Sequence, residues 1–277
     1  MPDALRLALG TLTILRVPAP RRVDRKVAST AMLLAPLIGL LLAVVVAAMV
    51  AGIQWLARHS GPVSAAADIR DLAADLLGAV VAVALLAWFT RGLHLDGLAD
   101  TADGLGVKGT GPATRARRLE VMRQPDVGAF GAITVMLLLL LQISALLLCL
   151  VAGHGSVGLI VALVTGRLAI TWACRRGVPS ARPDGLGAAV AGSTPVVAVA
   201  AITVAVAAMA FALGRIDHDS TLGLSLSLVA AVLVGLAVAV FFQHRCVRAF
   251  GGITGDVLGA SVELATTATL LTVALTS

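Results

Sequence analysis

Tyrosine is absent from this 277-residue chain, and aromatic residues of every kind amount to 3%. Surfaces that stack unpaired bases need such rings, so the formal net charge of +6 does not point to nucleic acid, and no nucleic-acid partner is expected. Charge itself is scarce. Charged residues make up 13% of the chain and hydrophobic residues 59%, where a soluble domain carries about 25% charged residues to cover its surface. Most of the surface is therefore expected to face something other than water. Cysteine is rare as well: Cys149, Cys174 and Cys246 stand far apart with no paired spacing, which argues against a disulfide framework or a zinc site. The first 30 residues lack a small-residue cleavage site behind a short apolar core, so no cleavable signal peptide is expected. No internal repeat with a period of roughly 20–50 residues is visible.

What the chain has in quantity is apolar sequence. Runs of about 20 apolar residues are long enough to cross the hydrocarbon core as helices. Candidates lie at roughly 31–57, 72–90, 129–152, 157–174, 187–213, 222–243 and 257–277. The expected fold is all-α, a polytopic membrane helix bundle with about 6–7 transmembrane helices, formed by residues 1–277 as a single integral membrane domain embedded in a lipid bilayer. From Val127 to Gly166 run 40 residues without Asp, Glu, Lys or Arg. One helix of that length would measure about 60 Å, twice the hydrocarbon thickness, so Gly153-His154-Gly155 is expected to turn the chain. Ahead of the first span, Leu5, Leu7, Leu9, Leu12, Ile14 and Leu15 fit a short interfacial helix ended by Pro18 and Pro20.

The basic residues orient this arrangement. If the spans alternate, segments 1–30, 91–128, 175–184 and 244–256 fall on one side. Segments 58–71, 153–156 and 214–221, the last with Arg215, Asp217 and Asp219, fall on the other. Of the 21 Lys and Arg residues only Arg58, Arg70 and Arg215 lie on the second side. That asymmetry predicts a multi-pass protein of the cell (inner) membrane with the first side in the cytoplasm.

Segment 91–128 is the longest polar stretch, with eleven charged residues. Within it Asp96, Asp100 and Asp103 are spaced i, i+4, i+7, which places them within an arc of about 60° on one helical face. Three like charges so placed repel one another unless a cation sits among them, and all-carboxylate donors favour Mg²⁺ over zinc. The alternative is a solvated acidic face at a loop edge. His94 fits an acid/base or phosphate-binding role and a structural role equally. Arg123, beside the Gly-rich return to the membrane, is a candidate phosphate contact, whereas Arg115 and Arg117 read as a basic loop near lipid headgroups. Gly251-Gly-Ile-Thr-Gly-Asp256 precedes the last span, and Gly252, Thr254 and Gly255 can expose backbone N–H groups to a phosphate. Asp256 and Glu263 share a face of that span, and Arg167 is a plausible intramembrane partner for one of them.

Four stretches carry a resemblance: His94–Gly104, Arg118–Arg123 with Val127–Gly131, Gly185-Leu-Gly187, and Gly251–Ala260. In order and over nearly the whole chain, they are similar to cobalamin synthases, also called adenosylcobinamide-GDP ribazoletransferases. The resemblance implies a Mg²⁺-dependent transferase late in cobalamin biosynthesis. Its partners would be adenosylcobinamide-GDP and α-ribazole or α-ribazole 5′-phosphate, a ribose hydroxyl would attack the cobinamide-side phosphorus, and GMP would leave. It further implies Asp96, Asp100 and Asp103 as Mg²⁺ ligands and Asp256 as a further acid of the site. Arg123 and Arg167 would clamp phosphate, and His94 or an aspartate would take the hydroxyl proton. One departure stands out: the family usually has Met-Arg-Asp where this chain has Met122-Arg123-Gln124, so no metal role passes to position 124. A CDP-alcohol phosphotransferase would show Asp-Gly-x2-Ala-Arg, but Asp100 follows Ala99 here. An ion-coupled transporter would show repeats and broken helices at mid-membrane.

Overall fold

The computed structural model describes residues 1–59, 67–217 and 222–276; Asp219 and the last residue of the seventh expected span lie outside them. Twelve helices form among the described residues. They are α1 (Asp3–Leu12), α2 (Arg25–Leu33), α3 (Ala35–His59), α4 (Ala67–Phe89), α5 (Leu93–Gly106) and α6 (Pro112–Val121), followed by α7 (Ala129–Val151), α8 (Gly155–Ala173), α9 (Gly185–Val190), α10 (Val196–Ile216), α11 (Leu222–Phe250) and α12 (Gly255–Thr276). No strand occurs among the described residues; Arg175 with Thr194 and Ser180 with Ile253 form isolated bridges. Among the described residues seven helical segments are long and apolar enough to span a membrane, with α2 and α3 counted as one. The fold is thus an all-α polytopic bundle.

Local chemistry explains the breaks. Asp24 caps α2, its Oδ1 accepting from the Val27 N–H at 2.8 Å. Pro36, which has no N–H to give and whose ring crowds the preceding turn, marks the bend between α2 and α3. Gly153 adopts a left-handed φ of 84° between α7 and α8, and divides the long uncharged run. The expected span at 187–213 begins later, at Val196. Gly192 at φ 64° and Pro195 interrupt the helix there, and the chain folds back so that Arg176 N–H reaches Thr194 O at 2.9 Å. Conversely, α11 carries on through the basic residues after Phe242 to Phe250.

Helices α8 and α12 form the centre. Most of each is buried, and they pack on each other and on α11, while α8 also packs on α3. Small residues permit this: Gly166 of α8 lies against Thr266 and Val262 of α12, and Gly235 of α11 against Thr269 and Ala265. Large side chains such as Leu37, Leu140, Val204 and Phe241 point outward, as a lipid-facing surface requires. Segments 1–30, 91–128, 175–192 and 244–256 meet at one end of the bundle. Arg25 donates to Gly192 O at 2.5 Å, Arg123 to Asp184 Oδ1 at 3.0 Å, and Arg118 to Ala249 O at 3.4 Å. At the far end Arg58 pairs with Asp75 at 2.7 Å and His154 with Asp217 at 2.7 Å.

Candidate active site

Helix α5 does not span the bundle. It lies at the basic end and crosses α12 backbone to backbone. A Cβ added at Gly97 would stand 2.7 Å from Asp256 O and 2.9 Å from Asp256 Cα, so glycine is what lets the two helices touch. That contact sets Asp96 and Asp100 beside Asp256. Burial raises the Asp100 carboxyl to about 7, and the charges of Asp96, Asp256 and Asp103, in that order, add to the rise. Asp96, Asp256 and Asp103 are therefore all close enough to act on Asp100.

Asp103 plays a different part from its neighbours. Its Oδ2 accepts from Gly128 N–H at 2.7 Å and its Oδ1 from Gly131 N–H at 2.8 Å. Both oxygens are thus engaged at the N-terminus of α7, where a helix presents unpaired N–H groups and partial positive charge. This ties the acidic helix to the bundle. The face shared by Asp96, Asp100 and Asp103 does not make a ready cage, since no group of three or more Asp, Glu, His or Cys side chains among the described residues is arranged to hold a metal. The same holds for Asp96, Asp100 and Asp256, the acids that the α5–α12 contact brings near one another. Oxygen-only ligands under mutual repulsion suit a hard divalent cation that completes its shell with water and phosphate.

Beside Asp256 a cavity of about 460 Å³ opens, walled by α1, α5, α12 and the segment before α9. Arg123, Arg182, Asp184, Thr254, Gly255 and Asp256 supply its polar lining, and Leu12, Met32, Ile170 and Leu186 part of its apolar wall. The N-terminus of α12 faces it. Thr254 Oγ1 accepts from Val257 N–H at 3.2 Å and donates to Asp256 Oδ2 at 3.1 Å, which holds the first turn of α12 in place. Arg182 is the residue that sequence reasoning overlooked. Its guanidinium stands 3.7 Å from Asp256 and donates to Leu119 O at 2.9 Å, and its buried Nε has no partner. Its place three residues before the Gly185-Leu-Gly187 stretch was the available signal.

The other expected residues divide. Arg123 lies at the cavity rim, paired with Asp184 through both carboxylate oxygens. Gly252 packs on the backbone of residues 179–181 and serves chain packing. Gln124 and Asp126 are both exposed. Arg167, expected as a phosphate clamp, lies elsewhere: it is 3% exposed inside α8 and borders a separate, small cavity with Glu263. His94 walls the main cavity at 3% exposure. Burial holds its imidazole well below the usual histidine pKa, and the Arg167 charge adds to this, so the ring is neutral. Asp96 opens on the other side of α5, onto a second cavity of about 600 Å³ that it shares with Arg91.

Comparison with known proteins shows the family of the chain. Residues 4–274 match the family model described as cobalamin-5-phosphate synthase. The chain belongs to the cobalamin-5-phosphate synthase family. Among curated relatives, an adenosylcobinamide-GDP ribazoletransferase of Frankia casuarinae is 43% identical over 98% of this chain and 94% of its own length. The protein of the same name from Nocardioides sp. is 42% identical over 98% of each chain. A third, from Pseudomonas putida, is 34% identical over 94% of this chain and 91% of its own. No solved structure matches the chain. Membership of the cobalamin-5-phosphate synthases sets aside the phosphotransferase and transporter readings.

Proposed function

We propose that this chain performs the transfer for which its relatives are named. It joins adenosylcobinamide-GDP and α-ribazole, or the 5′-phosphate of α-ribazole, and releases GMP. The observation that carries the reading is the contact of α5 with α12, which brings Asp96 and Asp100 close to Asp256, while Asp256 and Arg182 line a cavity with a helix N-terminus in its wall. Exchange at a pyrophosphate calls for charge neutralisation and positioning more than for covalent chemistry by the protein.

In this reading Asp96 and Asp100 of α5 and Asp256 of α12 would hold Mg²⁺, with Asp103 fixing α5. When bound, the ion neutralises charge on the pyrophosphate and on the departing GMP. Arg182, Arg123 and the first N–H groups of α12 grip phosphate oxygens. The apolar wall excludes water from the phosphorus and so favours ribazole over hydrolysis. His94, neutral and at the wall, accepts the proton of the attacking hydroxyl. The site faces the cytoplasm at the inner membrane, since 17 of the 21 Lys and Arg residues lie in the segments of that side and three in those of the other.

The test is product formation. Purified protein in detergent or nanodiscs receives adenosylcobinamide-GDP, Mg²⁺ and either α-ribazole or its 5′-phosphate. Release of GMP with formation of the complete corrinoid is expected, and the faster acceptor identifies the natural one. Absence of product with both acceptors, while an active family member turns over alongside, overturns the reading.

A further inference from the structure

Behind the main cavity lies a set of polar side chains to which the transfer reading assigns no task. Glu263 sits on α12 two turns beyond Asp256, within a membrane-spanning helix, where an ionisable group is costly and usually functional. Its Oε2 accepts from Gln142 Nε2 of α7 at 2.8 Å, and the same Gln142 nitrogen donates to Thr267 at 3.0 Å. Arg167 of α8 borders the same cavity of about 20 Å³ and acts on the carboxylate through its charge. Three helices thus hold one carboxylate in a fixed place. Its remaining oxygen, Oε1, stands 3.9 Å from Nδ1 of His94.

His94 is the link between this set and the cavity. Neither of its ring nitrogens has a hydrogen-bond partner, although both are buried, an arrangement folded proteins rarely leave unused. Gly259, one turn before Glu263, explains the proximity: a Cβ there would meet His94 Cα at 3.1 Å, so α12 runs directly along the His94 backbone.

We propose that Glu263 is a positioning residue for His94. It accepts a hydrogen bond from Nδ1–H, which fixes the imidazole tautomer and turns the Nε2 lone pair toward the substrate hydroxyl. A closure of roughly 1 Å brings the pair to hydrogen-bond distance, and contacts of this kind are commonly long until substrate is bound. A carboxylate that orients a histidine by accepting from its far nitrogen is a recurrent device for setting the tautomer. Here Gln142 and Arg167 orient the carboxylate in turn. The inference rests on the transfer reading, because it needs a substrate group for Nε2 to meet.

A double-mutant cycle tests it, with kcat and KM measured for both substrates in wild type, H94N, E263L and H94N/E263L. Glu263 acting through His94 predicts that E263L loses tenfold or more in kcat with each KM within twofold. E263Q, which keeps a carbonyl oxygen, should recover part of that loss, and the double variant should be no slower than H94N. If E263L fails to insert because Arg167 is left unpaired, R167L/E263L removes both charges and takes its place in the cycle. Losses that multiply in the double variant, or H94N at the wild-type rate, overturn the inference. A wild-type protein that forms no product instead sinks the transfer reading itself, so the two failures are distinct.

Discussion

The contact at Gly97 offers a sharp perturbation, because it can be altered without touching a charged group. In Gly97→Ala the new methyl would lie 2.7 Å from Asp256 O and 2.9 Å from Asp256 Cα, both backbone atoms that cannot rotate away. Reaching ordinary contact requires the α5–α12 crossing to open by roughly 0.8 Å. Overpacking of this kind costs about 1–3 kcal/mol. It also parts Asp96 and Asp100 from Asp256, and a misplacement of about 1 Å at reacting groups can lower a rate as much as 100-fold. Turnover of adenosylcobinamide-GDP should accordingly fall roughly 10- to 100-fold, with a lower melting temperature and normal membrane insertion. Gly52→Ala is the control, since a Cβ there meets nothing within 4 Å. GMP release, normalised to inserted protein, is the assay. If Gly97→Ala turns over and melts like Gly52→Ala, the α5–α12 contact does not assemble the site and the argument fails.

Three further outcomes are expected. Asp103→Ala removes two hydrogen bonds from a carboxylate to the Gly128 and Gly131 N–H groups; it should destabilise by about 1.5–3 kcal/mol, read as a lower melting temperature, while Asp103→Asn, which keeps one acceptor, should lose less. Asp100 has a folded-state pKa of about 7, above its unfolded value. Its protonated form is therefore favoured by folding, and metal-free protein should lose stability as pH rises from about 4 through 7, while Mg²⁺ should restore it at pH 8; a flat melting profile with no Mg²⁺ effect would remove Asp100 from the acidic cluster. Cys149, Cys174 and Cys246 are buried, so a cysteine placed at the exposed position Thr110 should be the reactive thiol; an impermeant maleimide should label it in inverted vesicles and spare it in intact cells, and the reverse pattern would invert the topology.

Much of this was legible in the sequence. Scarce charge and long apolar runs already imply a membrane bundle, and the i, i+4, i+7 spacing of Asp96, Asp100 and Asp103 sets them on the single helix α5. What spacing along one helix cannot reveal is which acids meet across helices. Asp256 joins Asp100 because Gly97 permits backbone contact, whereas Asp103 turns to the N-terminus of α7. Arg167, whose charge in an apolar run suggested an intramembrane acid as partner, does lie beside Glu263; the phosphate role implied by the resemblance would need it at the main cavity, which it does not line. Arg182 went unnoticed because one arginine in a polar loop carries no periodic signal, and only the pairing of Ser180 with Ile253 brings its loop to the mouth of α12. The start of α10 at Val196 was hidden for a related reason: the apolar run continues across Pro195, but the helix does not.

In the proposed reading, pyrophosphate transfer takes place at the carboxylates that α5 and α12 bring together and requires a divalent cation there. This is tested most directly by GMP release as a function of Mg²⁺ concentration, in wild type and in Asp100→Asn, after removal of bound metal with chelator. The expected result is no turnover without metal, full recovery of the wild type on adding Mg²⁺, and no recovery of Asp100→Asn at any concentration despite normal membrane insertion. Undiminished turnover in chelator, or an Asp100→Asn variant that follows the wild-type curve, would contradict it.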